Sequence, residues 1–203
     1  MRKKQPRSYS DFTLENLESM FGIENRLTNL MLAQQEVPPS EFLIETLRRN
    51  QVIPLSNEKA KSEVLIVPIL VEIINNNPNK LQCFSGKTFD VEPEQALKGR
   101  CDFLFTKEFS VNINAPVVTI FEAKDDVTEH WFGQCGAEMY AAKLFNQRKN
   151  EPYQTIYGAI TNGREWVFLK LEENILLIDT NRYSLKDLAE LLGALQTIFD
   201  FYD

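Results

Sequence analysis

Val117-Val118-Thr119-Ile120-Phe121-Glu122-Ala123-Lys124 decides how the rest of this chain is read. Pro116 stands before it and Asp125-Asp126 behind it, and between them runs an apolar, β-branched segment of strand length ending in a carboxylate, a small residue and an amine. A buried strand rarely ends that way by chance. Side chains alternate along a strand, so the spacing predicts Val118, Ile120, Glu122 and Lys124 on one face and Val117, Thr119, Phe121 and Ala123 on the other. Glu122 and Lys124 then point the same way.

Working back from this strand, Gly99–Thr106 reads as a second one, with Cys101, Phe103 and Phe105 on one face and Arg100, Asp102, Leu104 and Thr106 on the other. The short connection Lys107–Ala115 predicts that the two strands are antiparallel neighbours. Leu81–Phe84 and Thr88–Val91 flank Ser85-Gly86, which predicts a kinked strand or a tight turn. Before them a helix is expected from Ser56 or Asn57, as N-cap, to about Asn75, bent at Pro68 and apolar nearly all round. Glu63 falls on the stripe of Val67, Leu70 and Ile74, where a carboxylate needs a partner, and a cation would serve. Glu58 occupies the first turn, where the helix dipole favours it.

After Lys124, a helix is expected over His130–Gln147, with Gln134 and Glu138 four apart on one side. Gln154–Ile160 and Glu165–Leu171 read as strands joined by a hairpin at Asn162-Gly163, Ile175–Ile178 as a third, and Ser184 as the cap of a last helix. Its leucine stripe would serve either as cover for the sheet or as a dimer interface. Residues 9–55 read as an appendage of short helices, one capped by Ser40 and running through Arg49. The expectation is an N-terminal helical appendage over 1–55 and one α/β domain over 56–203, with a mixed central sheet flanked by helices.

Composition narrows the function classes. The chain has 203 residues and a formal net charge of −7, which argues against a surface wholly given over to phosphate neutralisation but leaves room for a local basic groove. Arg100, Lys87, Lys98, Arg148 and Lys149 are candidates for a phosphate track, and His130, Trp131 and Trp166 for contacts to phosphate or bases. Cys83, Cys101 and Cys135 match neither a CxxC pair nor a zinc spacing and read as reduced core residues. Met1–Arg7 is basic and expected to be loose. It runs into polar sequence, and no stretch reaches about 20 apolar residues, so neither a secretory leader nor a membrane span is expected and a cytoplasmic location is.

The chemistry centres on Asp102 and Glu122-Ala123-Lys124. Two carboxylates from adjacent strand ends can hold one Mg²⁺, with Mn²⁺ as a substitute, and the carbonyl of Ala123 can add a further oxygen. Such an ion activates water and neutralises a phosphodiester, while Lys124 can orient the water or stabilise charge on the phosphate. With these residues in place the sequence resembles the PD-(D/E)XK nuclease superfamily, most closely the nuclease domain at the N-terminus of type I restriction R subunits and an uncharacterised bacterial family of that build. The matching stretches are Ser56-Asn57-Glu58 through Pro68-Ile69-Leu70, Gly99-Arg100-Cys101-Asp102, Phe121-Glu122-Ala123-Lys124 and Gly133-Gln134-Cys135, so the resemblance spans about residues 56–180.

It implies a restriction-endonuclease-like core and a Mg²⁺-dependent nuclease acting on nucleic acid, with DNA as the expected substrate. Asp102 and Glu122 would be ligands, Lys124 the catalytic amine, Glu63 or Glu58 the helix carboxylate and Gln134 a supporting polar group. Two features depart from the pattern. No Pro precedes Asp102, and Tyr140 follows Gln134 by six positions where many relatives space the pair by four. No helicase-type phosphate loop follows, so a translocating restriction subunit is not expected. A non-catalytic binding or regulatory module on the same fold, or a subunit that supplies the nuclease site only inside a complex, are the rival readings, and the associations considered are a homodimer or a partner subunit.

Overall fold

In the computed structural model, which describes residues 5–203, every residue of the strand Val117–Ala123 is buried. The expected loose start over Met1–Arg7 therefore lies outside the described residues for its first four positions. The elements, in chain order, are helix α1 (Leu14–Phe21), strand β1 (Glu24–Thr28), helices α2 (Glu41–Asn50) and α3 (Glu58–Lys61), a π-helical turn (Ser62–Ile66) and α4 (Val67–Asn76). Then come β2 (Gln82–Thr88), β3 (Arg100–Thr106), β4 (Val117–Ala123), α5 (Phe132–Arg148), β5 (Ile156–Thr161), β6 (Glu165–Glu172), β7 (Ile175–Asp179), β8 (Tyr183–Ser184) and α6 (Leu188–Asp200). They form one mixed sheet of order β1-β7-β6-β5-β4-β3-β2, with β8 added to β6. β4 is antiparallel to β3, as expected, and parallel to β5. α1 and α5 cover one face of the sheet, and α4 and α6 cover the other. The leucine stripe of α6 is spent on that cover, since Leu191, Leu192, Leu195, Ile198 and Phe199 are buried there.

The alternation expected along β4 is broken. Phe105 pairs with Thr119 but Thr106 pairs with Val117, so Val118 is an extra residue in a bulge. Val117 and Ile120 consequently face α5, whereas Val118 joins Phe121 and Ala123 on the α4/α6 side. Buried side chains serve the loosened backbone. The Asn146 amide accepts from Val117 N–H at 2.8 Å and donates to Val117 O at 2.7 Å, and the Tyr202 hydroxyl donates to Val118 O at 2.6 Å and accepts from Tyr157 N–H at 3.0 Å. Beyond the bulge the alternation resumes, so Glu122 and Lys124 do share a face.

β3 also departs from strict alternation. Cys101 packs with Leu104 on the α5 side, and Phe103 and Phe105 pack on the other. Regular pairing with β4 starts only at Phe103↔Phe121, and ahead of it the Asp102 carboxylate replaces the ladder by accepting from Ala123 N–H at 2.9 Å. On the neighbouring strand Gly86 adopts a φ of +61°, which makes β2 one continuous kinked strand rather than two joined by a turn.

The N-terminal segment is not wholly helical as expected. β1 is a strand of the same sheet, pairing in parallel with β7 from Glu24↔Ile175 to Thr28↔Asp179. Its polar sequence and exposed edge position hid the strand signal: none of its side chains is buried, and its one apolar residue, Leu27, is exposed. α2 does form under Ser40, whose hydroxyl accepts from Leu43 N–H while donating to the buried Glu72 carboxylate at 2.8 Å.

α3, the π turn and α4 make one continuous helix capped by Asn57, which accepts from Ala60 N–H. Pro68 has no N–H to give Val64 O, and the side-chain amide of Asn50 donates to that carbonyl instead, at 2.8 Å. The π turn inserts an extra residue into the helical period. The spacing Glu63–Val67–Leu70–Ile74 is therefore not one stripe, and Glu63 is exposed beside Lys59, 3.8 Å away. The three cysteines are free, with Cys101 and Cys135 buried and Cys83 half-buried, in keeping with a reduced core role. Burial pushes the Cys83 thiol up to about 12.

Candidate active site

The polar residues of the opening stretch converge where β3 and β4 end against the first turns of α5. Glu122, 1 % exposed, accepts through Oε2 from Gln134 Nε2 at 2.9 Å, and Lys124 Nζ stands 3.2 Å from the same oxygen. Gln134 Nε2 also reaches Glu138 Oε1 at 3.1 Å. Asp102, half-buried, is tied to the centre through its bond from Ala123 N–H. Asp102, Glu122, Ala123, Lys124 and Gln134 are thus brought together, and Glu63 is not. Glu58 is half-buried, and its charge is felt at Lys124, so of the two helix carboxylates it is the one on the site's side.

Small residues of α5 let the segment before α1, α1 itself and β7 lie close against it. A side chain at Gly133 would collide with the backbone of Phe12 and Thr13, and one at Gly136 with Leu17 and Leu176. Close approach buries whatever polar groups the helix brings with it, and Glu138 is fully buried. Sequence reasoning noted its spacing from Gln134 but did not count Glu138 as part of the site. The signal was an acidic residue one turn beyond Gln134 on a Gly/Ala-rich helix face, where no solvent could reach it.

Burying two carboxylates side by side shifts the protonation of Glu122 and Glu138. Burial, with the Asp102 charge adding to it, pushes the Glu122 carboxyl up to about 7 against the pull of Glu138 and Lys124. Glu138 is raised well above the carboxylate range by burial and by Glu122. The two carboxyls stand within reach of a shared proton. Burial works against the Lys124 ammonium, but the charges of Glu122, Asp102 and Glu58 outweigh it, and its pKa is raised.

Among the described residues, three buried acceptor atoms in the centre have no donor: Glu122 Oε1, Gln134 Oε1 and Glu138 Oε2. An excess of acceptors calls for a proton or a cation. Among the described residues no three His, Cys, Asp or Glu side chains gather as a metal cluster. Asp102, Glu122 and the Ala123 carbonyl are the oxygens here that could hold a Mg²⁺ ion keeping several of its waters.

Trp131 closes the outer side. Its ring lies over Lys124 Nζ at 4.6 Å and its Nε1 donates to Asp126 Oδ1 at 2.9 Å, while the exposed His130 stands edge-on to it. Trp166, in contrast, is fully buried in the α4/α6 core and has no surface to offer a base. The expected basic track is dispersed. Lys87, Lys98 and Arg100 are exposed on and before β3, but Arg148 donates to Val91 O and is paired with Glu92.

No model of a known protein family matches this chain, and no curated protein matches it either.

Proposed function

We propose that the protein is a divalent-metal-dependent nuclease of the PD-(D/E)XK kind, built on a restriction-endonuclease-like core and hydrolysing phosphodiester bonds, with DNA as its substrate. The observation that carries this reading is a buried carboxylate at the end of a central strand, 3.2 Å from a lysine ammonium two residues on, beside the aspartate of the neighbouring strand. Mg²⁺ or Mn²⁺ held by Asp102, Glu122 and Ala123 O would supply Lewis-acid stabilisation of the phosphodiester's charge. Lys124 keeps its proton, so it acts as a fixed positive charge and donor towards the phosphate or the attacking water rather than as a base. Gln134, bridging Glu122 and Glu138, holds the Glu122 carboxylate in one orientation. Trp131 limits the water that reaches Lys124 from outside.

A second reading, a module that keeps the fold without turnover or a subunit completed only in a complex, draws on how closed the centre is, with Glu122 and Lys124 1 % and 8 % exposed. The test is Mn²⁺ calorimetry run beside cleavage of plasmid and single-stranded DNA. The nuclease reading expects metal-dependent cutting, loss of metal binding in Asp102→Ala, and a Lys124→Ala protein that still binds metal but cuts ~10²–10³-fold more slowly. Full cutting by Lys124→Ala overturns the role given to that amine. Metal binding through Asp102 and Glu122 without cutting selects the subunit, and neither binding nor cutting selects the module.

A further inference from the structure

A groove of about 1100 Å³ lies between α2 and the body of the domain. Ile44, Leu47, Leu65 and Leu188 give it an apolar floor, and Arg164 and Lys186 stand on its rim. Both cations are exposed, and neither has an ion-pair partner among the described residues. One carboxylate, Glu165, also lines the groove, and Arg48 is already held by Glu45. On a chain of net charge −7, this is a local positive rim over a hydrophobic floor.

The groove shares an end of the sheet with the carboxylate centre. Lys124 N–H donates to Thr161 O at 2.8 Å, and the next residue, Asn162, lines the groove. Leu65 of the floor packs against Gly163, and Lys61, in the turn of helix before it, is bonded to Asp125, the neighbour of Lys124.

We propose that this groove is a binding site for single-stranded nucleic acid, in which Arg164 and Lys186 hold phosphates and the aliphatic floor receives unstacked bases. The proposal rests on the nuclease reading of the adjoining centre and gives it a substrate class. An apolar floor under a cationic rim matches a ligand that presents apolar faces and anions together, as a single strand does. A duplex turns its phosphates outward and keeps its bases stacked within, which leaves the floor with nothing to cover. At about 1100 Å³ the groove stands at the top of the ~300–1,000 Å³ range of small-ligand pockets, with room for more than one nucleotide.

The test is fluorescence anisotropy of a short labelled oligonucleotide, single-stranded and as a duplex, in EDTA so that nothing is cut. The single strand is expected to bind more tightly than the duplex. Arg164→Gln/Lys186→Gln should weaken it roughly tenfold and make the slope of log K against log salt shallower by about 1.4, or ~0.7 for each phosphate of the single strand that is no longer neutralised. Both side chains are exposed, so the double variant should melt with the wild type. Equal or tighter duplex binding, or a double variant that binds unchanged, overturns the proposal. So does an acidic, leucine-containing peptide that binds the groove where the oligonucleotide does not, which would make this a protein-docking surface. Cleavage assays separate the two readings. Cutting that persists with unchanged KM in the double variant leaves the nuclease standing and removes the groove, while oligonucleotide binding sensitive to the two substitutions without cutting keeps the groove and removes the nuclease.

Discussion

Glu122 makes stability fall as pH rises, and the size of the effect can be worked out. Its carboxyl is raised from an ordinary value of 4.5 to about 7 in the folded protein. Between those values the folded state holds a proton that the unfolded chain has released, so the contribution declines from pH 4.5 upward and the loss is complete above about 7. At ~1.36 kcal/mol per pH unit, the group takes away about 3 kcal/mol over this window. Glu138, raised in the same direction, can only add to the decline. Urea unfolding at pH 5, 6, 7 and 8 in EDTA, for wild type and Glu122→Gln, isolates the term. The wild type should lose roughly 3 kcal/mol more than the variant between pH 5 and 8. Adding Mg²⁺ should return stability to the wild type at pH 8 and little at pH 5, because the ion binds the ionised carboxylate. A difference between the two proteins that is flat, or that grows in favour of the wild type with rising pH, would refute the account of a carboxyl desolvated beside Asp102.

Asn50→Ala strips Val64 O of its donor and should cost ~1–3 kcal/mol in denaturant titrations, and adding Pro68→Ala should recover part of the loss by restoring a backbone N–H to that carbonyl. Tyr202→Phe leaves Val118 O and Tyr157 N–H unserved at the β4 bulge, with a similar expected cost in the same assay. Gly133→Ala drives a methyl group into the backbone of Phe12 and Thr13, so a loss of ~1–3 kcal/mol or more is expected, with the melting temperature as readout.

Much of the architecture could be read from the chain because its patterns are local. The Asn162-Gly163 hairpin, the apolar run of β4 and the leucine spacing of α6 each carry their own signal, and each forms where it was expected. What escaped the reading depends on partners distant in sequence. The Val118 bulge is held by Asn146 and Tyr202, and the π turn before Pro68 is completed by Asn50. β1 is a strand only because β7 offers it an edge. The same distinction runs through the site. Asp102 and Glu122-x-Lys124 could be placed on and just after strands from local pattern alone. Glu63 was assigned by counting through a helix whose period changes, and Glu138 was missed because its burial follows from how closely α5 approaches the sheet.

The role of Tyr202 bears on how the protein is made. Synthesis runs from the N-terminus, yet the hydroxyl that settles the gap between β4 and β5 belongs to residue 202. The strand that carries Glu122 cannot reach its final packing while residue 202 is still inside the ribosome. Until that point its apolar run is exposed to other chains, and chaperone capture during translation should fall away only as α6 and Tyr202 emerge.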